Sequence, residues 1–249
     1  MSLLNQAVLE TVNVSVKSAS GNILIGVSLK IHERELVSII GPSGGGKSTL
    51  LRTFNRLSDL ESGLKVSGQV IYRNKDVRDY KNIDDLRHKI GLVFQKPCIF
   101  PGSILRNVLF GARHFRRFKS KKESLIFAEQ ILIQARLWNE VKDRLNRPAS
   151  ELSIGQKQRL AFGRVLAVDP DVLLLDEPTS SLDPHSTAEI EKALTEIKMK
   201  KAVVLVTHHP EQSRRISDRV IFMENGKITA ENEPEADSIF QNEPESKVF

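Results

Sequence analysis

One stretch of the sequence decides the fold: Gly41-Pro42-Ser43-Gly44-Gly45-Gly46-Lys47-Ser48. It follows the apolar run 36–40 and opens a predicted helix over 48–57, so a buried strand leads directly into a helix. Its pattern, G-x-x-x-x-G-K-[ST], lets successive backbone N–H groups face phosphate oxygens at a helix start. We expect this loop and Thr49 to bind nucleotide phosphates. Lys47 would reach the β- and γ-phosphates, and the Ser48 hydroxyl would hold Mg²⁺.

Composition predicts an ordered chain of one large domain. The 249 residues are 40% hydrophobic and 27% charged, which is enough apolar material for a sizeable core. Residues 1–10 lack the basic flank and apolar core of a secretory signal, and the sequence has no apolar stretch of membrane-spanning length. We therefore expect a cytoplasmic protein. The single cysteine, Cys98, excludes an internal disulfide and is expected to pack in the interior.

The charge of the chain is positive and unevenly distributed. A net charge of +6 favours an anionic partner, whether nucleotide, nucleic acid or a lipid surface. The run 113–122 is strongly basic, and the tail 231–249 is acidic. We expect both runs to be solvated surface, because most charge blocks are.

Four apolar runs predict a parallel sheet. They are residues 36–40, 90–94, 172–175 and 203–206, and they are short and nearly unbroken, as strands buried on both faces are. Each run ends in polar or glycine residues. In open α/β sheets ligands lie beyond the carboxyl ends of the strands, so these residues are expected to meet at one edge. They are Gly41, Gln95, Asp176 and Thr207-His208.

The remaining patterns complete an α/β architecture. Alternation of apolar and polar residues over 9–16 and 23–31 predicts antiparallel strands. Apolar spacing predicts helices over 121–136 and 183–200, the second capped by Asp183. Because the region 96–151 lacks a buried-strand run, we interpret it as a helical subdomain. We therefore divide the single domain 1–249 into three parts. The nucleotide-binding core comprises 1–95 and 152–230, the helical subdomain comprises 96–151, and the acidic tail comprises 231–249.

Adjacent carboxylates at the end of the run 172–175 predict hydrolytic chemistry. Asp176 fits the position that holds the Mg²⁺ shell, and Glu177 is the candidate base for the attacking water. Gln95 and His208 follow neighbouring strands and would supply further polar groups. Spacing alone does not distinguish His208 from His209.

A second motif, at 152–159, gives a family resemblance. Its sequence Leu-Ser-Ile-Gly-Gln-Lys-Gln-Arg resembles the LSGGQ signature of ATP-binding-cassette ATPases. The resemblance implies a P-loop NTPase core with a mostly parallel sheet, an N-terminal antiparallel β subdomain and an inserted helical subdomain. It implies ATP as substrate and Mg²⁺ as cofactor.

The same resemblance implies a role for each site residue. The catalytic residues would be Glu177, His208, Lys47 and Gln95, which selects His208 over His209. The metal ligands would be Ser48, Gln95 and Asp176. Two copies would pair head to tail, each ATP being held between the phosphate loop of one copy and the signature of the other. The residues acting across this dimer would be Ser153, Gly155 and Gln156 of the signature and Asp183 of the D-loop 180–183.

Longer blocks resemble a narrower group, the ATPase subunits of bacterial phosphate importers. These blocks are 48–56 with 59–60, then 93–97 with 100–101, 103–104 and 107–108, and finally 137–138 with 141–145. The resemblance implies transmembrane permease subunits and a solute-binding protein as partners, no nucleic acid, and a place on the inner face of the cell membrane. Helical subdomain residues would form the docking surface, and the basic run 113–122 would face membrane subunits or anionic lipid if it is more than solvated surface. Three alternatives stay open: import of another solute, a soluble cassette protein acting on DNA or ribosomes, and a nucleotide-gated regulator without turnover.

Two positions depart from the family pattern. The family stacks adenine on an aromatic residue upstream of the phosphate loop, yet Phe54 is the first aromatic residue of this chain. We expect Val16 or Lys17 at that place, and therefore little preference for ATP over GTP. The other departure is Ile154, where the signature has glycine. A β-branched residue fits there only if the backbone angles are ordinary.

Overall fold

The computed structural model describes residues 7–232 of the chain. Its central layer is a six-stranded sheet made of β3 (Leu36–Ile40), β6 (Ile90–Val93), β7 (Val172–Asp176), β8 (Ala202–Val206), β9 (Arg219–Glu224) and β10 (Lys227–Asn232). Their order is β10-β9-β3-β8-β7-β6. The pairs from β9 to β6 are parallel, and β10 is antiparallel to β9. The mostly parallel sheet is therefore confirmed, with the four predicted strands side by side.

Both faces of this sheet are buried, which explains the unbroken apolar runs. In β7, Leu173 and Leu175 belong to one apolar core, whereas Val172 and Leu174 belong to the other. One core holds α1 (Lys47–Phe54) and α2 (Ile83–Lys89). The other holds the helices α3 (Ile104–Phe115), α4 (Lys121–Gln134), α5 (Trp138–Val141), α6 (Ile154–Leu166), α7 (Pro184–Ile197) and α8 (Pro210–Ile216). The sheet thus forms the middle layer of three.

A separate antiparallel sheet lies on the α1 side. It contains β1 (Ala7–Ser18), β2 (Gly21–His32), β4 (Lys65–Tyr72) and β5 (Lys75–Asp76) in the order β2-β1-β4-β5. Val14 and Leu24 of this sheet share a core with Leu50 and Phe54 of α1. The predicted β subdomain is confirmed, and β4 and β5 extend it. Its packing fixes the helix that opens at the phosphate loop.

The helical segment has no core of its own. Val108 of α3 and Leu132 of α4 lie in the same apolar cluster as Leu173 of β7, together with Leu160 and Phe162 of α6. α6 begins after the predicted boundary at residue 151, yet it packs against both α3 and α4. The described helical unit therefore includes the helix that begins at the signature, and it is joined to the sheet by continuous apolar packing.

Two expectations need correction. β10 ends at Asn232, so the sheet includes the first two residues of the predicted tail. The side chain of one of them, Glu231, forms an ion pair with Arg219 of β9. The remaining tail, 233–249, lies outside the described residues. Cys98 is exposed rather than packed in the interior, because the segment that follows β6 runs over the surface.

Within residues 7–232, the structure has no helix with the length and apolar character needed to span a bilayer.

Candidate active site

The phosphate loop follows β3, and neighbouring backbone lies against its glycines. Gly41 has φ of 135°, and a Cβ there would lie 2.1 Å from the carbonyl oxygen of Met223. Gly46, the N-cap of α1, has φ of 93°, and its Cβ would lie 2.8 Å from the Ile23 carbonyl oxygen. Both positions exclude larger residues by conformation and by space. The loop is thereby held between β2 and β9 with its N–H groups at the start of α1.

Lys47, the first residue of α1, is buried within this loop. Its ammonium donates to the carbonyl oxygens of Gly41 at 2.7 Å and Pro42 at 2.8 Å. The pKa of Lys47 lies below its ordinary value because burial disfavours the charged form, although the carboxylates of Glu177 and Asp176 act in the opposite direction. The cation therefore lies inside the loop and is bonded to two backbone carbonyl oxygens.

Ser48 and Asp176 form a compact oxygen cluster beside the loop. The Ser48 hydroxyl donates to Oδ1 of Asp176 at 2.7 Å, and Asp176 is 6% exposed. Burial raises the pKa of Asp176, and the hydrogen bond from Ser48 opposes this rise. Among residues 7–232, no group of three or more His, Cys, Asp or Glu side chains is arranged to hold a metal. One carboxylate and one hydroxyl still fit Mg²⁺, which commonly takes one or two carboxylates and completes its shell with phosphate oxygens and water.

Three predicted residues meet at Glu177. Its Oε2 accepts from Nε2 of Gln95 at 3.0 Å and lies 3.2 Å from Nδ1 of His208. The backbone N–H of Glu177 donates to the Val206 carbonyl oxygen at 2.9 Å, which ties the end of β7 to the end of β8. Glu177 has φ of 45°, an uncommon conformation for a residue with a side chain. Side chains following β6 and β8 thus contact one oxygen of the carboxylate that follows β7.

The two adjacent histidines differ in their contacts. His208 contacts Glu177, whereas the His209 backbone N–H donates to Oγ1 of Thr207 at 3.1 Å. Burial and the neighbouring His208 lower the pKa of His209. The geometry therefore supports His208 as the histidine of the hydrolytic group, which spacing alone left open.

The signature forms the N-terminus of α6. The Ser153 hydroxyl accepts from the Gln156 N–H at 3.3 Å, and Oε1 of Gln156 accepts from the Ser153 N–H at 3.1 Å, which is a capping box. Ile154, the first residue of α6, is 58% exposed and does not have a positive φ. The backbone at Ile154 thus meets the condition of ordinary angles that a β-branched residue requires at this position.

An ion pair that sequence reasoning missed anchors the signature helix. Arg159 is 2% exposed, and it pairs with Glu140 of α5 and donates to the Arg136 carbonyl oxygen at 2.7 Å. Nε2 of Gln156 donates to Oε2 of Glu140 at 2.8 Å. Gln156 is therefore committed to contacts within its own chain. The sequence could show only that an arginine, Arg159, stands three residues beyond Gln156. It could not show the ion pair, because its partner Glu140 belongs to no motif.

Two further contacts join the signature helix to the rest of the site. Buried Gln158 of α6 donates from Nε2 to the Phe94 carbonyl oxygen at 3.0 Å, directly before Gln95. A Cβ on Gly155 would lie 2.2 Å from Oγ of Ser186 in α7, whose N-cap is the predicted D-loop residue Asp183. α6 therefore touches both the segment that carries Gln95 and the helix that follows the D-loop.

A comparison with known families decides the identity of this arrangement. The family model described as ABC transporter matches residues 24–180. The chain belongs to the ABC transporter family. Relatives of this ABC ATPase include the phosphate import ATP-binding protein PstB of Borreliella burgdorferi, 43% identical over 248 residues that cover 98% of this chain and 93% of the relative. The protein of the same name from Ehrlichia ruminantium, strain Gardel, is 44% identical over 237 residues, covering 95% of this chain and 93% of the relative.

Solved structures agree with this ABC ATPase in fold. CbiO1 of Clostridium perfringens, part of the ABC transporter complex cbiONQ, has a TM-score of 0.80 at 30% identity and covers 96% of this chain and 92% of its own. The ATP-binding cassette MJ0796, a dimer in a post-hydrolysis state with ADP and Pi, has a TM-score of 0.79 at 32% identity and covers 91% of this chain and 98% of its own. The chain is thus an ATP-hydrolysing subunit of the ABC type.

A cleft lies beside the phosphate loop of this ABC ATPase. It has a volume of about 270 Å³ and is lined by Ile23, Glu177 and residues 43–49. None of the signature residues lines it, as far as the described residues go. Ile23 was not predicted from the sequence. Val16 is fully buried and is therefore excluded as an adenine-stacking residue, which leaves the exposed Lys17 of the two predicted.

Proposed function

We propose that this ABC ATPase drives the import of inorganic phosphate by hydrolysing ATP at two sites shared between two copies of the chain. The observation that carries the hydrolytic assignment is the convergence of Gln95 and His208 on Oε2 of Glu177. The choice of phosphate is supported by the two relatives named as phosphate import proteins, which match this chain over nearly its whole length.

The phosphate loop and Thr49 would bind the nucleotide. The N–H groups of residues 43–48 face the phosphates, and the Lys47 ammonium exchanges its two carbonyl partners for β- and γ-phosphate oxygens. Ser48 and Asp176 would hold Mg²⁺, with Gln95 as the third proposed ligand. When bound, Mg²⁺ neutralises phosphate charge and fixes the β- and γ-phosphates. Ile23 and Lys17 would border the base.

Glu177 would serve as the base for the attacking water. The water oxygen forms a bond to the γ-phosphorus and gives its proton to the carboxylate, while the bond from the γ-phosphorus to the bridging oxygen breaks and ADP leaves with that oxygen. Gln95 and His208 hold the carboxylate in place. Positioning of this kind dominates phosphoryl transfer, since the protein makes no covalent bond to the substrate.

A second copy would complete each site. Ser153 and Gly155 stand at the N-terminus of α6, where N–H groups and the helix dipole favour a γ-phosphate. Gln156 would contribute by holding the Ser153 cap, because its side chain is bonded to Glu140 and to the cap itself. Asp183 would lie at the contact between the two copies.

Separate permease subunits would dock on the helical unit. A groove of about 590 Å³ lies between α2 and α3, with His88, Phe110 and Phe115 among its lining residues. Phe110 is 56% exposed, and its ring lies 4.4 Å from that of Phe100, centre to centre, so the groove presents apolar surface to a docking partner. Because α2 leads into β6 and α3 begins soon after Gln95, movement in this groove reaches the hydrolytic group directly. We infer a place on the inner face of the cell membrane, with a solute-binding protein on the far side.

The test uses the complex co-purified from native membranes. We expect Glu177→Gln to lower phosphate release by at least about 100-fold, the contribution of a general base, while nucleotide binding persists. Glu33→Gln, an equal change at an exposed position, is the control and should leave turnover unchanged. A loss of less than about threefold for Glu177→Gln would reject Glu177 as the base. In the same complex with its solute-binding protein, inorganic phosphate should stimulate hydrolysis. Stimulation by another solute alone would reject phosphate import and leave the ATPase assignment intact.

A further inference from the structure

The end of α3, the following loop and the start of α4 form a basic surface, defined here as residues 113–122. Its cationic side chains are all exposed: Arg113, Arg116, Arg117, Lys119, Lys121 and Lys122. Within residues 7–232, Arg116 is the only one of them paired with a carboxylate, that of Glu123 at 3.6 Å. A cluster of six cations with a single paired carboxylate among the described residues attracts an anionic surface.

The start of α4 argues against a purely structural role for these charges. Ser120 caps the helix, and Lys121 and Lys122 occupy its first turn. Cations in a first turn oppose the helix dipole, whereas the Glu123 carboxylate nearby is favourable there. The two lysines therefore weaken α4 in the isolated chain, and an anionic partner would relieve that cost.

Phenyl rings lie among the cations. The Arg116 guanidinium carbon is 5.0 Å from the Phe127 ring centre and 5.6 Å from that of Phe118. A shallow cavity of about 520 Å³ is lined by Arg113, Arg116, Arg117, Phe118 and Lys121, among others. Exposed Phe115 stands beside it. Phe118 and Phe127 are partly buried against the apolar core and hold the Arg116 guanidinium, whereas Phe115 is exposed beside the cations. An exposed aromatic ring next to basic side chains is typical of surfaces that contact the boundary between lipid headgroups and acyl chains.

The basic surface is continuous with the groove between α2 and α3, because Arg113 lines both. We propose that the basic surface binds the anionic lipid surface of the membrane beside the permease. The proposal rests on the proposed membrane location and adds a partner to it. Long, exposed cations, most of them without a carboxylate partner among the described residues, suit a field of lipid headgroups better than one acidic protein segment, which would need fixed partners.

The test is flotation of the full chain with vesicles of phosphatidylglycerol and phosphatidylcholine, compared with phosphatidylcholine alone. We expect binding to the anionic vesicles only, and a decrease in binding as salt rises. Lys121→Glu/Lys122→Glu should lower the bound fraction by at least about tenfold, since each charge near an anionic leaflet contributes appreciably. Its melting temperature should stay the same or rise, because carboxylates favour the first turn of α4.

The matched control is Arg34→Glu/Lys200→Glu. These exposed residues precede β3 and β8, at the opposite edge of the sheet from the phosphate loop. Each exchange replaces a positive charge with a negative one and lowers the net charge by two, so both double variants move it from +6 to +2. The control should bind anionic vesicles within about threefold of the wild type, since binding depends on local rather than total charge.

Several results would overturn the proposal. One is an equal loss of vesicle binding in both double variants, and another is equal binding to vesicles without phosphatidylglycerol. A third is dissociation of the lipid-free detergent complex by Lys121→Glu/Lys122→Glu, which would assign the surface to a protein partner. ATP hydrolysis is measured in parallel in the complex co-purified from native membranes, for which the function is proposed. A wild type that hydrolyses ATP but does not float rejects lipid binding alone, whereas an inactive wild type rejects the proposed function.

Discussion

The contact between α6 and α7 makes a sharp prediction for Gly155→Ala. Gly155 has no positive φ, and alanine is the better helix former by up to about 1 kcal/mol, so propensity alone would stabilise the variant. The new Cβ, however, would lie 2.2 Å from Oγ and 2.7 Å from Cβ of Ser186, well inside contact distance. Overpacking of this kind costs about 1–3 kcal/mol. We expect the clash to dominate, with a net loss of about 1–2 kcal/mol.

The assay is thermal unfolding followed by circular dichroism, together with phosphate release. For a chain of this size, a loss of about 1–2 kcal/mol lowers the melting temperature by roughly 2–8 °C. Phosphate release should fall as well, because Ser153 and the cap of α6 must shift with the helix. Ser186→Gly removes both clashing atoms and should restore stability to Gly155→Ala, whereas Ser186→Ala keeps its Cβ and should restore it only in part.

Ser186→Gly has a cost of its own, since glycine weakens a helix even though the backbone N–H at this position still donates to Asp183. The informative quantity is therefore the coupling energy of the double-mutant cycle, which we expect to be at least about 1 kcal/mol. A Gly155→Ala protein that melts at or above the wild-type temperature would refute the reasoning. Additive effects of the two substitutions would refute it equally.

Three further predictions concern the signature and the nucleotide. Glu140→Gln should lower the free energy of unfolding at pH 7 by about 1–2 kcal/mol in chemical denaturation, because it weakens the charge-assisted bond to Arg159 at a partly exposed site. Burial raises the pKa of Glu140, but the bonds from Arg159 and Gln156 outweigh burial and lower the pKa overall. The stability difference between wild type and Glu140→Gln should therefore be complete above the unfolded-state pKa of about 4.3 and vanish as pH falls through the folded-state pKa. A stability difference that grows at low pH would contradict the assignment. Competition binding should give GTP nearly the affinity of ATP, and a hundredfold preference for ATP would contradict the missing base platform. Ile154→Gly should leave phosphate release within a few fold, because the residue is exposed and has ordinary angles; a much larger rise would show that isoleucine impairs the site.

The sequence predicted the sheet well because its determinants are local. Four short apolar runs, each ending in a residue of distinct chemistry, are enough to place the ends of β3, β6, β7 and β8 at one edge. Gln95, Asp176 and His208 could therefore be assigned to a common site before their distances were known. Proximity at a sheet edge follows from strand direction, which the apolar pattern indicates.

Contacts between helices were not predictable in the same way. The Glu140 and Arg159 pair joins α5 to α6, and no pattern along the chain marks a glutamate as the partner of a buried arginine. The same holds for Gly155 and Ser186, whose proximity depends on how closely α6 approaches α7. Ile23 was missed because its alternating strand pattern shows that one face is buried, without showing that the loop at Gly46 lies against it.

The cap of α6 places two demands on a single atom. The Ser153 oxygen accepts the Gln156 N–H and keeps its helix start in order, which leaves the hydroxyl proton free to point outward. A hydroxyl that already accepts one hydrogen bond becomes a better donor, because bonds in a chain polarise one another. The fold thus prepares the serine as a hydrogen-bond donor within the single chain. In the proposed dimer, any substitution at Ser153 would change the rigidity of the helix and the strength of the bond to the nucleotide together, so the two properties could not be tuned independently at this position.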